Sequence, residues 1–344
     1  MRNTGLFLIA TAGVALHTAP LHAQSLASRV RDAGANATVS FAYQPRPGVC
    51  GDGTSIIARR GAGDDFSIIQ TEGDGGRSFN MSSTKTPESR AALLDRCVEG
   101  PARVELTRDA GEFSKVAVTV GGNRTASLGT VTPQEAVAFL LGLAESAPHE
   151  VGSRALFAGY IANATTEYAT GVIALTRKRS VNRDVRKDAV FWVSQTDDPR
   201  AVPRLEEILR DRSEDIEVRK SSIFGLSQQE GDASVQTLIN TAKSSDRKEL
   251  RQDAIFWLGQ KAADRATEGL KSILADGSEE LEVRESALFA LSQQKSDQAF
   301  DALVNVAKSS KEPELRRTAL FWLGQRGEDP RVLALFESIL FSKK

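Results

Sequence analysis

The sequence has few of the residues that most often build metal and catalytic sites. Its 344 residues include only two cysteines and three histidines, and His17 and His22 lie in an N-terminal segment with the pattern of a secretory signal. Without that segment only His149 remains, so neither a Cys₂His₂ nor a Cys₃His zinc site can form. A Ser-His-Asp or Cys-His arrangement would depend on His149 alone. We expect no catalytic or metal site and no cofactor, and therefore a protein that is not an enzyme.

The sequence also lacks an excess of charge of one sign and a long apolar run after its N-terminus. Lys and Arg number 44 and Asp and Glu 45, a net charge of −1, so nothing favours nucleic acid or an anionic membrane as a partner. The longest later apolar stretch, AVAFLLGLA at 136–144, is far shorter than the roughly 20 residues of a transmembrane helix. We expect no stable membrane insertion once the signal is cleaved.

Residues 1–23 have the features of a secretory signal peptide. Arg2 provides the positive charge, residues 5–16 are apolar, and Ala23 is a plausible last residue before cleavage. The alternative is an uncleaved membrane anchor, for which the apolar core is short. The pattern predicts a periplasmic or secreted protein.

Export determines how the two cysteines are interpreted. In an oxidising compartment Cys50 and Cys97 are expected to form a disulfide. Closing a loop of about 48 residues stabilises a fold by about 4 kcal/mol in the chain-entropy model. The bond would therefore matter to a small domain.

Short alternating runs broken by glycine occupy the segment between Val39 and Gly122 and predict strands. The six runs are VSFAY (39–43), TSIIARR (54–60), DFSIIQT (65–71), RSFNMS (77–82), ARVELTR (102–108) and FSKVAVTV (113–120). Residues 109–112 join the last two as a hairpin, and PESRAALLDRC (87–97) is a candidate short helix. We predict a β-rich, disulfide-stapled domain at residues 24–130.

A helical region with an internal repeat follows. Thr132, Pro133 and Glu135 form a capping-box pattern that starts a helix at 133–146. Five similar lines come later: VRKDAVFWVSQ (185–195), VRKSSIFGLSQ (218–228), LRQDAIFWLGQ (250–260), VRESALFALSQ (283–293) and LRRTALFWLGQ (315–325). Their period of 32 or 33 residues, with a second amphipathic stretch after each line, predicts a right-handed α-solenoid of about six helical pairs over 131–344.

The unit V-R-x-x-A-x-x-x-L, followed by Asp and then A-x-x-x-L, resembles the short bacterial HEAT repeat, a type also found in phycobilin lyases. The resemblance covers about 183–341 well and 133–182 loosely. The whole arrangement is similar to exported bacterial proteins that join a disulfide-containing β domain to HEAT repeats. Such repeats generally make scaffolds that bind other proteins, although some related solenoids are enzymes, including lyases and DNA glycosylases.

Aromatic residues recur at fixed positions of the units. The phenylalanines are expected to stack between repeats: Phe191, Phe224, Phe256, Phe289 and Phe321. The next position alternates large with small, so we expect each indole to fill space left by the neighbouring Gly or Ala: Trp192, Gly225, Trp257, Ala290 and Trp322. A row of exposed indoles that binds sugars or peptides is the alternative.

Each unit also carries an arginine in its first turn and an aspartate before its second helix. The resemblance to HEAT repeats implies a ladder between the arginines Arg186, Arg219, Arg251, Arg284 and Arg316 and the aspartates Asp198, Asp232, Asp264, Asp297 and Asp329. An anion-binding stripe is the alternative interpretation of the arginines.

Partner-binding positions are sought on two sets of polar residues. The second helices are expected to line the concave face, where solenoids usually bind, and there Asn240, Lys243, Asn305 and Lys308 repeat at 65 residues. The glutamines that close the first helices either satisfy helix-end carbonyls or contact a partner's backbone; the candidates are Gln195, Gln260 and Gln325. The favoured function is a non-enzymatic, extracytoplasmic scaffold that binds a protein or peptide. The alternative is an envelope enzyme or carbohydrate-binding factor whose β domain carries the ligand site.

Overall fold

The structure is a computed structural model of the chain. It describes most of the sequence beyond residue 23, and the predicted signal at 1–23 and most of the candidate helix at 87–97 lie outside the described residues. The described residues are 24–53, 55–59, 66–70, 81–82, 95, 97–122, 124–261, 264–327 and 329–341.

The described part of the N-terminal region contains a short helix and seven strands. Helix α1 and strand β2 were not predicted, whereas the other strands overlap the predicted runs. The elements are α1 (Leu26–Asp32), β1 (Ala37–Tyr43), β2 (Val49–Gly51), β3 (Ser55–Arg59), β4 (Phe66–Gln70), β5 (Met81–Ser82), β6 (Ala102–Asp109) and β7 (Glu112–Val120).

The strands form two antiparallel sheets, with orders β1-β6-β7 and β2-β3-β4-β5. The predicted hairpin joins β6 to β7 through Ala110 and Gly111, whose φ angles are 52° and 91°. Two successive positive φ angles match the right-handed twist of the flanking strands. Cys50 on β2 is bonded to Cys97, with 5.2 Å between their Cα atoms. The predicted disulfide is present.

Thirteen helices follow in the described part of the chain. The helix α2 begins after Thr132, whose Oγ1 accepts a hydrogen bond from the backbone N–H of Glu135 at 3.1 Å, as the capping-box pattern predicts. The helices are α2 (Pro133–Ser146), α3 (His149–Tyr160), α4 (Thr165–Leu175), α5 (Arg183–Ser194), α6 (Ala201–Arg210), α7 (Ile216–Ser227), α8 (Asp232–Ser244), α9 (Lys248–Gln260), α10 (Asp264–Ala275), α11 (Leu281–Gln293), α12 (Asp297–Ser309), α13 (Pro313–Gly324) and α14 (Pro330–Phe341).

After α2 the helices form consecutive pairs, and each first helix packs on the first helix of the next pair. Small residues permit this approach: a Cβ added to Gly259 on α9 would lie 2.8 Å from the Cβ of Ala290 on α11. The apolar faces of all pairs join in one buried core. The β-rich region followed by a HEAT-like helical solenoid is confirmed.

The β region packs against the first helices of the solenoid. Phe41 on β1 meets Phe139 on α2 edge to face, with 5.9 Å between the ring centroids. The Tyr43 hydroxyl donates to the carbonyl oxygen of Ala158 on α3 at 2.5 Å. The strands and helices therefore share one core across the predicted boundary at residue 130.

The arginines of the first helical turns do not pair with the aspartates that the repeat pattern suggested. Arg186 donates to Glu214 at 2.9 Å and Arg219 to Asp246 at 2.7 Å, and both acids lie in loops between successive pairs. Side chains of a helix point towards its N-terminus, and Asp198 lies beyond the other end of α5, about 18 Å away at 1.5 Å per residue. The predicted ladder is wrong in its acidic members.

The tryptophans differ in their environments. Trp192 is 2% exposed and lies 4.7 Å from Tyr160, between ring centroids. Trp257 and Trp322 are partly exposed and contact phenylalanines of the preceding pair. A Cβ on Gly225 would instead meet Ser194 and Leu205. Packing against the preceding ring, and not the space beside Gly225, therefore determines where the indoles lie.

Candidate functional site

The predicted polar residues of the second helices lie at the surface but form two separate groups. Asn240 and Lys243 are exposed on α8, and Asn305 and Lys308 are exposed on α12, with α10 between these helices in the solenoid. The Asn240 Oδ1 accepts from Gln236 at 2.9 Å, and Lys243 donates to Ser272 on α10 at 2.8 Å. Each pair is thus part of a local surface network.

The candidate glutamines fall into two environments. Gln260 and Gln325 are exposed, whereas Gln195 is buried. The Gln195 amide donates to the hydroxyl of Ser194 at 3.1 Å, and that hydroxyl donates to the carbonyl oxygen of Phe191 at 2.6 Å. This chain of bonds satisfies a helix-end carbonyl, which is the structural interpretation of Gln195.

Exposed aromatic rings lie along the first helices in the C-terminal half of the solenoid. Phe256 is 45% exposed and Phe321 is 56% exposed, so the prediction of a buried phenylalanine stack is wrong at these two positions. Phe256 packs edge to face on Trp257 at 5.1 Å, and Phe321 packs in the same way on Trp322 at 5.0 Å, between ring centroids. We call these four residues the aromatic row.

The aromatic row differs from the corresponding rings nearer the β region. There Phe191 and Phe224 are only partly exposed and stack on each other, with 6.0 Å between centroids and 14° between planes. The indole position between these helices holds Gly225, so the two phenylalanines can meet. The alternation of Trp with Gly or Ala in the sequence was therefore the available signal for where rings become exposed.

A second site was not predicted: an open cleft where the β region meets the first two helical pairs. It has a volume of about 270 Å³. We call it the junction cleft, and its lining includes Arg46, Tyr160, Thr165, Tyr168, Gln195 and Thr196. No sequence pattern placed Arg46 beside the end of α3, because the segment that carries it is held there by tertiary hydrogen bonds.

Backbone hydrogen bonds place this segment. The Arg46 N–H donates to the carbonyl oxygen of Ile161 at 2.8 Å, and the Asn163 N–H donates to that of Gln44 at 3.1 Å. The Arg46 guanidinium then lies over the Tyr160 ring, 4.5 Å from its centroid, in a cation–π arrangement. The cleft thus receives its positive charge from the β region.

The opposite rim of the junction cleft is acidic. Asp198 accepts two hydrogen bonds from the Arg200 side chain, at 2.8 and 2.6 Å, and these bonds hold the pKa of its carboxyl below the usual value. Asp197 is exposed beside it. On the inner wall, burial raises the pKa of Tyr168 well above the ordinary value, and Tyr160 adds to the effect. Both Asp198 and Tyr168 therefore keep one protonation state at neutral pH.

Metal and membrane features were sought in the same described residues. They contain no group of three or more His, Cys, Asp and Glu side chains that could hold a metal ion. Of the helices described, none has the length and apolarity needed to cross a bilayer. His149 bonds to Asp188 at 2.9 Å, with both side chains partly exposed.

Consecutive helical pairs at a period of 32 or 33 residues, with first helices stacked on first helices, define an α-solenoid protein. Residues 171–259 and 267–343 match the family of HEAT repeats. This part of the chain is therefore a HEAT-repeat helical solenoid. No curated protein matches the sequence.

Several solved structures share the helical architecture at low identity. Human deoxyhypusine hydroxylase in complex with glycerol is 15% identical over 57% of this chain and 98% of its own, with a TM-score of 0.34. The complex of CpcE and CpcF of phycocyanin lyase from Nostoc is 21% identical over 46% of this chain and 98% of its own, at 0.33. Lipovitellin is 12% identical over 83% of this chain and 35% of its own, at 0.42. Similarities of this size carry no argument about function.

Proposed function

We propose that the protein is a non-enzymatic, extracytoplasmic scaffold that binds a protein or peptide partner on its solenoid surface. The observation that carries the proposal is the aromatic row. Phe256 and Phe321 occupy equivalent positions two repeats apart, and each exposes about half of its surface. Aromatic side chains are enriched in the cores of protein interfaces and among the residues that dominate binding energy.

The geometry of the row suits binding because the rings are held in place before a partner arrives. Each exposed phenylalanine rests edge to face on a tryptophan of its own helix, and Trp322 also contacts Phe289 of the preceding pair at 5.0 Å. A ring that is already fixed loses little rotamer freedom on binding. Two such anchors on consecutive pairs of one rigid solenoid would present an extended binding surface.

The extracytoplasmic part of the proposal is supported by the secretory pattern of residues 1–23 and by the disulfide between Cys50 and Cys97. Disulfides persist mainly in oxidising compartments. Fractionation of cells that express the full chain tests this part, and recovery of the protein with reduced cysteines in the cytoplasm would contradict it.

The alternative, an envelope enzyme or carbohydrate-binding factor with its site on the β region, would use the junction cleft. Among the described residues that line this cleft there is no histidine, cysteine or serine. The groups that converge there are hydrogen-bond donors and a guanidinium, which suit binding. We therefore favour the scaffold.

Site-specific photo-crosslinking in the producing cell tests the scaffold proposal. A photoreactive phenylalanine analogue replaces Phe256 or Phe321 in separate proteins, and matched positions on the second-helix surface are Asn240 and Asn305. The aromatic row predicts one shared protein adduct from both phenylalanine positions, identified by mass spectrometry. Adducts from the asparagine positions alone would transfer the binding surface to the second helices and contradict the role of the row.

A pair of variants separates binding from stability. Phe321→Ser removes an exposed ring and leaves no buried cavity, so its unfolding free energy should change by about 0.5 kcal/mol or less, while the adduct formed at position 256 is lost. The matched control is Asn305→Ser, which should change neither quantity. An adduct that survives Phe321→Ser at full yield would refute the proposal.

A further inference from the structure

A ladder of side chains joins the ends of successive first helices along one edge of the solenoid. In each of the last four pairs, a long polar side chain just after the first helix donates to a main-chain oxygen of the preceding pair. The four bonds run from Gln229 to Ser194 at 2.6 Å, from Lys261 to Gln229 at 2.8 Å, from Gln294 to Leu258 at 3.4 Å, and from Arg326 to Ser292 at 2.7 Å. These bonds satisfy carbonyls that the helix ends leave without a partner.

The second pair departs from this ladder, and the junction cleft lies at that point. The equivalent position, 33 residues before Gln229, is Thr196, whose hydroxyl donates to Val193 of its own helix at 2.8 Å. A threonine is too short to cross to the preceding pair. The carbonyl oxygen of Ile161 accepts instead from the Arg46 N–H, and an open volume of about 270 Å³ remains beside Thr196.

Donor groups meet at this cleft from two separate elements. Arg46 brings a guanidinium over the Tyr160 ring. Helix α4 begins at Thr165, and its N-cap, Ala164, makes no side-chain hydrogen bond. Thr165 is part of the lining, so the first-turn N–H groups and the positive end of the helix dipole lie at the cleft.

An independent observation points to an acceptor. Tyr168 lines the cleft and is only 1% exposed, and within the described structure its hydroxyl has no hydrogen-bond partner. A buried hydroxyl without a partner costs about 1–3 kcal/mol. The Tyr168 ring is held in place by close contact with Gly159, where an added Cβ would lie 2.9 Å from the ring.

A guanidinium, helix N-terminal amides and a phenol are together the donors that a carboxylate accepts. The exposed Asp197 on the opposite rim suits the amide N–H groups that precede a chain-terminal carboxylate. We propose that the junction cleft binds the C-terminal carboxylate of a peptide chain. This site is separate from the aromatic row, so its test does not depend on that of the proposed function.

The three tyrosines of the chain make the test specific, because two line the cleft and Tyr43 does not. The full chain is labelled with ¹³C on its tyrosine rings and observed by NMR. The probes are N-acetylated tripeptides of mixed sequence with a free C-terminal carboxylate, the same mixture as C-terminal amides, and sodium acetate. We expect the acid mixture to shift the Tyr160 and Tyr168 signals and to leave Tyr43 unchanged.

Two variants close the test. Thr196→Gln introduces the residue that Gln229 and Gln294 carry at the equivalent position, so it should fill the cleft, keep the fold and abolish the shifts. Arg46→Gln removes the guanidinium and should weaken binding by about tenfold or more, the value of a hydrogen bond to a charged group. Asn305→Ala is the control and should bind as the parent chain does.

Three results would overturn the proposal. They are the absence of tyrosine shifts with the acid mixture at millimolar concentration, equal shifts with the amide mixture, and shifts that persist unchanged in Thr196→Gln. Acetate that shifts both cleft tyrosines at the same concentration as the tripeptides would refute a peptide terminus as the ligand. Because Thr196→Gln supplies a side chain that the repeat already accommodates, a failure to fold by Arg46→Gln would not remove the test.

Discussion

The buried pair of Arg186 and Glu214 makes a quantitative prediction about the joint between the second and third helical pairs. The side chains of Arg186 and Glu214 are 8% and 3% exposed, with 2.9 Å between their nearest charged atoms. Glu214 also accepts a second charged contact, from Arg179 at 2.6 Å. Glu214→Ala leaves the Arg186 guanidinium buried without its carboxylate. We expect a loss of about 3–5 kcal/mol in unfolding free energy, as for other buried pairs broken on one side.

A matched control lies two pairs further along the solenoid. Glu280 lies 2.8 Å from Arg251 but is half exposed, so solvent already screens this pair and Glu280→Ala should have little effect. The assay is equilibrium unfolding in urea, followed by circular dichroism and by hydrogen exchange of α5, because a repeat protein can unfold in parts. Equal destabilisation by the two substitutions, or protection of α5 unchanged in Glu214→Ala, would refute the reasoning.

Three further predictions concern packing, the disulfide and acid stability. Trp192→Ala should cost about 3–5 kcal/mol, because it leaves a cavity in the core, whereas Trp322→Ala should cost clearly less since that indole is partly exposed; urea unfolding of both variants checks this, and equal losses would contradict it. Replacing both Cys50 and Cys97 with serine should lower stability by about 4 kcal/mol under oxidising conditions, and the variant should no longer respond to reductant. The Asp246 carboxylate accepts a hydrogen bond from an arginine that holds its pKa below the usual value. Its contribution is therefore present above the ordinary aspartate pKa of about 3.9 and disappears as the pH falls through the lowered value. Asp246→Asn should accordingly lose less stability than the parent chain between about pH 5 and pH 2, and identical acid unfolding curves would exclude the role.

Local patterns predicted much of the fold because they act over a few residues. Alternating runs indicated most strands, and the capping-box pattern at Thr132 marked the start of α2 correctly. Strand β2 has only three residues, too few for an alternation to be read. Its place depends on pairing with β3 and on the Cys50 disulfide, both of which are tertiary contacts.

The partners of side chains were predicted less well than the elements that carry them. The arginines were correctly placed in first helical turns, but Arg186 reaches an acid 28 residues later, in the loop before the next pair. Similarly, the phenylalanine period is regular, yet Phe191 is partly buried while Phe321 is exposed. The difference comes from the neighbouring pair, which a single repeat does not specify.

The amino-acid sequence by itself determined the number and type of the repeating elements, their apolar faces and the disulfide partners, because periodicity, caps and cysteine count are properties of the chain. Tertiary structure alone decided where ligands could bind. The junction cleft exists because the segment at Arg46 is bonded to the end of α3 and because Thr196 is too short to cross between pairs. The aromatic row is exposed because each ring depends on its neighbour in the adjacent pair for cover. Both sites result from contacts between segments distant in sequence, whose packing no local pattern records.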